Sequence, residues 1–364
     1  MDYSVNKISS VAIILFLIMV GVMYISTSTT DVSNRFLALK TYYQCLPSAN
    51  ETYTPMVSSQ DELETALTEA SMPNKTLIIA ILNKAYIEGE KAMLDLFLES
   101  FWMGKDTQFL INHLLLVAMD QTAFDRCKFL RLHCYRLVTE GVDFGGEKLY
   151  MSQDFINMMW RRTSFLHDVL QRGYSFIFTD TDILWLGNPF RSLSQDENED
   201  IQISVDKFKG EPWSANNSIN TGFYFIRSNN KTITLFQTWY ANRLNSNYTG
   251  MKEQDVLEKM IHNGILTELG LKVRFLQTIY FSGFCENSSS FNAVATVHAN
   301  CCRSINAKVA DLIVVLRDWR RFRAFVEDRS RNLTTSSVVR WSKHTACENS
   351  WKNLNTDVYI YIFS

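Results

Sequence analysis

An α/β fold, a mainly parallel sheet covered by helices on both faces, is what this 364-residue chain predicts. Three observations carry that prediction. Apolar, β-branched runs alternate with helical patterns from residue 76 onward. A helix with apolar residues at three-to-four spacing feeds directly into the apolar strand Phe176-Ile177-Phe178. That strand runs into two carboxylates one residue apart, Asp180 and Asp182, at the carboxyl end where open α/β sheets bind ligands.

Residues 11–25 are almost continuously apolar, broken only by Gly21, and follow a tail carrying Lys7. The stretch falls just under the usual hydrocarbon span, which suits a thin bilayer, and no small-residue cleavage site follows it. The expectation is a cytosolic tail at 1–9 and an uncleaved transmembrane signal-anchor helix at 10–25. A stem at 26–75 follows, with Pro47, Pro55 and one short helix near 61–70. The folded domain is expected at 76–330 and a C-terminal extension at 331–364.

Within the domain the pattern predicts strands at 76–82, 114–118 and 135–138, with a helix at 91–102. The helix at 152–172 has Ser152 as its cap, Gly173 as its stop, and apolar positions at Phe155, Ile156, Met159, Phe165, Leu166, Val169 and Leu170. Beyond it come strands at 201–205, 222–226 and 272–276 and helices at 232–244, 254–261 and 311–325. No repeat or low-complexity tract interrupts the series.

With 36 Lys+Arg against 38 Asp+Glu, there is no electrostatic case for a nucleic-acid partner. Sequons at Asn50, Asn74, Asn216, Asn230, Asn247, Asn287 and Asn332 suit a lumenal domain. The seven cysteines leave at least one thiol free or paired between chains, which would make a homo-oligomer; their connectivity is not legible. No CxxC pair suggests zinc.

Asp180 and Asp182, read as side chains i and i+2 of an extended segment, would face one hard cation together. If the ligand is a nucleotide diphosphate, that cation bridges carboxylates to phosphate oxygens. A solvated turn after a strand is the plain alternative. A haloacid-dehalogenase-like phosphatase, with Asp180 as nucleophile and Asp182 as acid/base, is a rival. Leu184 and the hundred or so preceding folded residues argue against it. An EF-hand loop fails because Leu184 stands where an oxygen ligand is needed.

The blocks Leu94-Asp95-Leu96-Phe97-Leu98-Glu99-Ser100-Phe101, Ala118-Met119-Asp120-Gln121, Gly141-Val142-Asp143-Phe144, Met159-Trp160-Arg161-Arg162 and Phe178-Thr179-Asp180-Thr181-Asp182 occur in that order. They are followed by Asn220-Thr221-Gly222-Phe223, Gln254-Asp255-Val256-Leu257, Phe281-Ser282-Gly283-Phe284-Cys285, His298-Ala299-Asn300-Cys301-Cys302 and Asp318-Trp319-Arg320-Arg321. This ordered set, from about residue 77 to 321, resembles the plant nucleotide-diphospho-sugar transferase domain of glycosyltransferase family 77.

The resemblance implies a GT-A type fold, Rossmann-like in its nucleotide half, in a Golgi type II membrane enzyme. Such an enzyme moves arabinose, xylose or galactose from a UDP-sugar to a cell-wall glycoprotein or polysaccharide acceptor, with retention. Thr221 stands where the family more often has Gly, which puts the sugar in question. The implied metal ligands are Asp180, Asp182 and His298 for Mn2+ or Mg2+, with Asp180 also read as a contact to the ribose hydroxyls. Asn83, Lys84, Tyr86, Asp120, Arg161 and Gly222 are expected at the nucleotide-sugar. Lys148, Arg161 and Arg162 could offset diphosphate charge, with at most one of the two adjacent arginines reaching the ligand. Asp255 and Asn220 are expected at the reacting sugar. A plain alternative stands beside most of these: a polar loop for 83–86, a helix cap for Asp120, a helix-dipole charge for Asp255. The further alternative is a non-catalytic lumenal sugar-binding or scaffold protein.

Overall fold

The computed structural model describes residues 61–139, 141–142, 144–330 and 339–352. The expected tail, anchor and most of the stem lie outside them, as do Asp143 and Cys45. Among the described residues no helix is long and apolar enough to cross a membrane.

The elements run α1 (Glu62–Ala70), β1 (Thr76–Leu82), α2 (Met93–Met103), β2 (Leu114–Ala118), α3 (Gln121–Phe129), β3 (His133–Arg136), α4 (Gln153–Gln171), β4 (Ser175–Thr179) and β5 (Ile183–Trp185). Then come β6 (Ile201–Lys207), β7 (Ser218–Ile226), α5 (Asn230–Ala241), α6 (Glu253–His262), α7 (Ile265–Glu268), β8 (Val273–Phe275), β9 (Phe281–Gly283), β10 (Thr296–His298), α8 (Ile305–Ser330) and α9 (Thr345–Ser350). The main sheet is ordered β3-β2-β1-β4-β7-β6-β8, and β5-β10-β9 form a separate three-stranded sheet. In the main sheet only the two pairings of β7, with β4 and with β6, are antiparallel. This mainly parallel sheet with helices on both faces is the α/β class read from the sequence.

β1 shows why the sheet is covered twice. Leu77 and Ile79 enter one apolar core with α1, α4, α5 and α6, while Ile78, Ala80 and Leu82 enter another with α2 and Trp185. A strand buried on both faces reads as a continuous apolar run. α4 forms where its cap and periodicity predict it: the Ser152 side chain accepts from the Phe155 N–H, and Gly173, at φ +82°, follows its last turn. That glycine turns the chain directly into β4.

Several expectations are corrected here. Asp180 and Asp182 sit in the turn between β4 and β5, not in an extended strand, and the Ile183 N–H donates to the Asp180 carbonyl. β3 starts two positions before the expected strand, and α8 is longer than residues 311–325. The short helix assigned to the stem belongs to the domain, because Leu63, Leu67 and Ala70 are buried in its core. Residues 339–352 also pack on the domain: Trp341 stacks on Phe291 at 3.7 Å and Cys347 is joined to Cys302. The remaining described cysteines pair as Cys127–Cys134 and Cys285–Cys301.

Candidate functional site

The β4–β5 turn opens into a cavity of about 320 Å³ that Asp180, Asp182, Gly222 and His298 all line. One metal-binding atom from each of Asp180, Asp182 and His298 lies within 4.8 Å of the others. β4, an interior strand between β1 and β7, brings the aspartates to its carboxyl end. His298 is delivered by β10, which pairs antiparallel with β5 so that His298 stands opposite Ile183. The Ala299 N–H donates to the Asp182 carbonyl at 3.0 Å, fixing the register of the two segments.

Each carboxylate has its own partners. Asp180 Oδ1 accepts from Arg162 at 2.8 Å, and the same guanidinium donates to Glu253 Oε1 at 2.5 Å. Arg162 also lies over the Phe178 ring, 4.7 Å from its centroid. Asp182 Oδ2 accepts from Lys308 at 2.7 Å, and its Oδ1 lies 3.3 Å from His298 Nε2. The electrostatic consequences differ in sign. Burial pushes the Asp180 carboxyl up, against the pull of Arg162. Burial also works against the Asp182 anion, but the Lys308 ammonium and the His298 imidazole hold it well below the usual carboxylate range. Burial opposes the charge on Lys308 and on Arg162 as well, yet Asp182 raises the first and Glu253 with Asp180 raises the second.

Gly222 keeps the floor open. A Cβ there would lie 2.5 Å from His298 Cε1 and 2.8 Å from Asp180 Oδ2. Its N–H donates to Asn220 Oδ1 at 2.8 Å, and the Asn220 amide donates to Asp206, which also accepts from Asn300. Thr221 faces Glu253 and Gln254, its hydroxyl 3.0 Å from the Glu253 carboxylate Oε1 and 3.2 Å from the Gln254 side-chain amide Oε1. Tyr86 lines the cavity, and burial pushes its hydroxyl up to about 12, so it is a hydrogen-bond donor at neutral pH.

Not every residue singled out from sequence arrives. Asn83 reaches the wall, but its amide donates to the Phe144 and Gly146 carbonyls and its oxygen accepts from the Ala85 N–H, so it builds a loop. The Lys84 side chain pairs with Glu88 outside the cavity. Asp120 caps α3 and accepts from the Lys84 N–H, which engages both oxygens. Of the adjacent arginines, Arg162 enters; Arg161 turns to Thr139 and Val138. Lys148 lines the cavity. Asp255 faces Lys252 at 3.8 Å away from the lining, while Glu253 and Gln254 face in. Sequence reasoning missed Glu253, Gln254, Lys308 and Asp206. Gln254 and Asn300 stood inside the recognised blocks; Lys308 carried no local signal.

The donor set fits a divalent cation. Two carboxylates and one imidazole, with Gly222 leaving the space between them clear, suit an ion that accepts nitrogen as well as oxygen.

The chain is similar to several known proteins. An uncharacterized protein of Arabidopsis thaliana is 54% identical over 298 residues, covering 80% of this chain and 85% of its own. A UDP-galactose:fucoside alpha-3-galactosyltransferase of Dictyostelium discoideum is 40% identical over 74 residues, 19% of this chain and 11% of its own. The solved mouse xyloside xylosyltransferase 1, apo form, overlays with a TM-score of 0.39 at 14% identity, covering 62% of this chain and 98% of that one. The model for the nucleotide-diphospho-sugar transferase family matches residues 109–312, more than half of the chain, so the chain belongs to that family and is a nucleotide-sugar glycosyltransferase.

Proposed function

We propose that this glycosyltransferase uses a divalent cation, manganese or magnesium, to bind a UDP-sugar. It transfers a pentose such as arabinose or xylose, or galactose, with retention, to a cell-wall glycoprotein or polysaccharide in the Golgi lumen. The observation that carries the reading is the convergence of Asp180, Asp182 and His298 beside the notch at Gly222. When bound, the cation supplies charge neutralisation for the diphosphate leaving group. The chain's own residues do the rest. Asp182, kept anionic, and Asp180 and His298 hold the ion, while Glu253 fixes the Arg162 guanidinium beside Asp180. Lys308, its charge stabilised by Asp182, places a second cation at the same cavity. Tyr86 keeps its proton and can donate to the nucleotide or sugar. Asn220 and Asn300, whose amides both donate to Asp206, line the same cavity. Thr221, hydrogen-bonded to Glu253, narrows the floor and is our candidate for selecting the donor sugar.

The lumenal address is supported by three disulfides, which suit an oxidising compartment, and by the exposed asparagines of the sequons at Asn74, Asn216, Asn230, Asn247 and Asn287. The apolar run at 10–25 supplies the anchor in this reading.

The test is turnover of UDP-arabinofuranose, UDP-xylose and UDP-galactose by the purified full chain with Mn2+. One of them should release UDP, and Asp182→Ala should cut that rate by more than about 100-fold while the circular dichroism spectrum stays unchanged. Turnover that ignores both chelator and the Asp182 change would end the metal-dependent reading.

A further inference from the structure

The mouth of the cavity carries two aromatic rings that the donor-binding groups leave unused. Tyr150 and Trp351 both line it, 41% and 47% exposed. Both are held in place. The Trp351 indole N–H donates to the Cys301 carbonyl at 2.8 Å. Arg303 lies over the Trp351 ring at 4.6 Å and over the Tyr150 ring at 5.9 Å, and Lys252 lies over Tyr150 at 5.6 Å. Trp351 follows α9, which the Cys302–Cys347 disulfide fastens close behind His298.

Trp351 is also shared. It lines a second cavity of about 450 Å³, where the rings of Phe284 and His344 stack at 3.7 Å. The indole therefore stands on the ridge between that cavity and the one holding the aspartates.

A sugar ring has an apolar C–H face and a rim of hydroxyls, so it needs a flat apolar surface bordered by hydrogen-bonding groups. Fixed Trp and Tyr rings supply the surface at little cost in side-chain entropy. Arg303, which contacts both rings, and Lys252, which contacts Tyr150, offer donors to hydroxyl oxygens. An apolar protein segment would instead want a contiguous apolar patch, which these cations interrupt.

We propose that Tyr150 and Trp351 form the acceptor subsite, a platform on which a saccharide ring of the acceptor stacks at the mouth of the donor cavity, with the chain beyond it directed toward the Phe284–His344 cavity. This rests on the transferase reading of the inner cavity. The two are separated by measuring them separately.

Saturation-transfer NMR on the full chain tests it, with methyl β-D-galactopyranoside, methyl β-D-xylopyranoside and methyl α-L-arabinofuranoside as probes, each with and without UDP and Mn2+. At least one glycoside should receive saturation, strongest at its ring C–H protons. Trp351→Ala and Tyr150→Ala should each weaken that signal by about fivefold or more, and by a larger factor than they weaken the UDP signal, whereas Trp351→Phe keeps most of it. The two alanine changes lie on separate segments, so misfolding of one leaves the other informative. No glycoside binding to the unsubstituted protein, or binding that survives both alanine changes, overturns the platform. Glycoside binding without any UDP binding would keep the platform and remove the donor reading.

Discussion

Two carboxylates one residue apart are handed to two different parts of the chain, and their settings are opposite. Asp180 is tied to the helices packed on the main sheet: Arg162 from α4 and, through it, Glu253 from α6. Asp182 is tied to the last third of the described chain: His298 from β10 and Lys308 from α8. Burial pushes the first carboxyl up, while the second is held down by its cations. The short β4–β5 turn is thus the seam of the site. Part of the cavity is lined from the main sheet and its helices, and part from the small sheet and the disulfide-linked segment behind it.

The largest effect on stability is expected on the Asp180 side. Arg162→Met leaves Glu253, 2% exposed, with a buried charge and no cation, and should cost about 3–5 kcal/mol in urea unfolding. The double change Arg162→Met with Glu253→Met should recover much of that loss. A single change that costs under about 1 kcal/mol would mean the pair is not what holds this side.

On the Asp182 side the corresponding element is covalent. Replacing Cys302 and Cys347 together by Ser opens a bridge between positions 45 apart and should cost about 2–4 kcal/mol, read as a drop in unfolding midpoint. Mn2+ affinity should weaken along with it. An unchanged affinity would show that the late segment is not needed to set His298 and Lys308.

At the seam itself, Gly222→Ala drives a methyl group into both sides at once. Calorimetric Mn2+ affinity should fall by about 10-fold. If affinity survives, His298 and Asp180 can part without penalty and the cluster is not preorganised.

The smallest effect concerns His344, behind the Asp182 side. Burial holds its imidazole below the ordinary histidine range, against the pull of Asp311. The unfolded chain therefore takes up the proton first as pH drops. Its contribution is complete above the unfolded value and is lost as pH falls through the lower folded one. Stability should decline as pH falls below about 7, with a slope from this group of at most about 1.4 kcal/mol per pH unit. His344→Asn should flatten that part of the profile, and an identical slope in the variant would assign the decline elsewhere.

The layout of β1, β2, α4 and β4, and the acidic pair after β4, were legible in the sequence because they depend on short-range order. Apolar spacing, a Ser cap, a Gly stop and a strand running into two aspartates all lie within about twenty positions. The three-residue strands β5, β9 and β10 are too short to show a period, so the small sheet was not. Nor could the blocks tell Arg161 from Arg162, or Asp255 from its neighbours, since facing a cavity is a property of how α4 and α6 are rotated against the sheet. The cysteine pairing was open for the same reason. What the sequence determined by itself was a strand-helix alternation and a candidate cation site at one strand end. Lys308 sits 126 positions from Asp182, and Glu253 sits 91 from Arg162. Contacts at that separation leave no local trace, so only the folded chain decides which charges surround each aspartate.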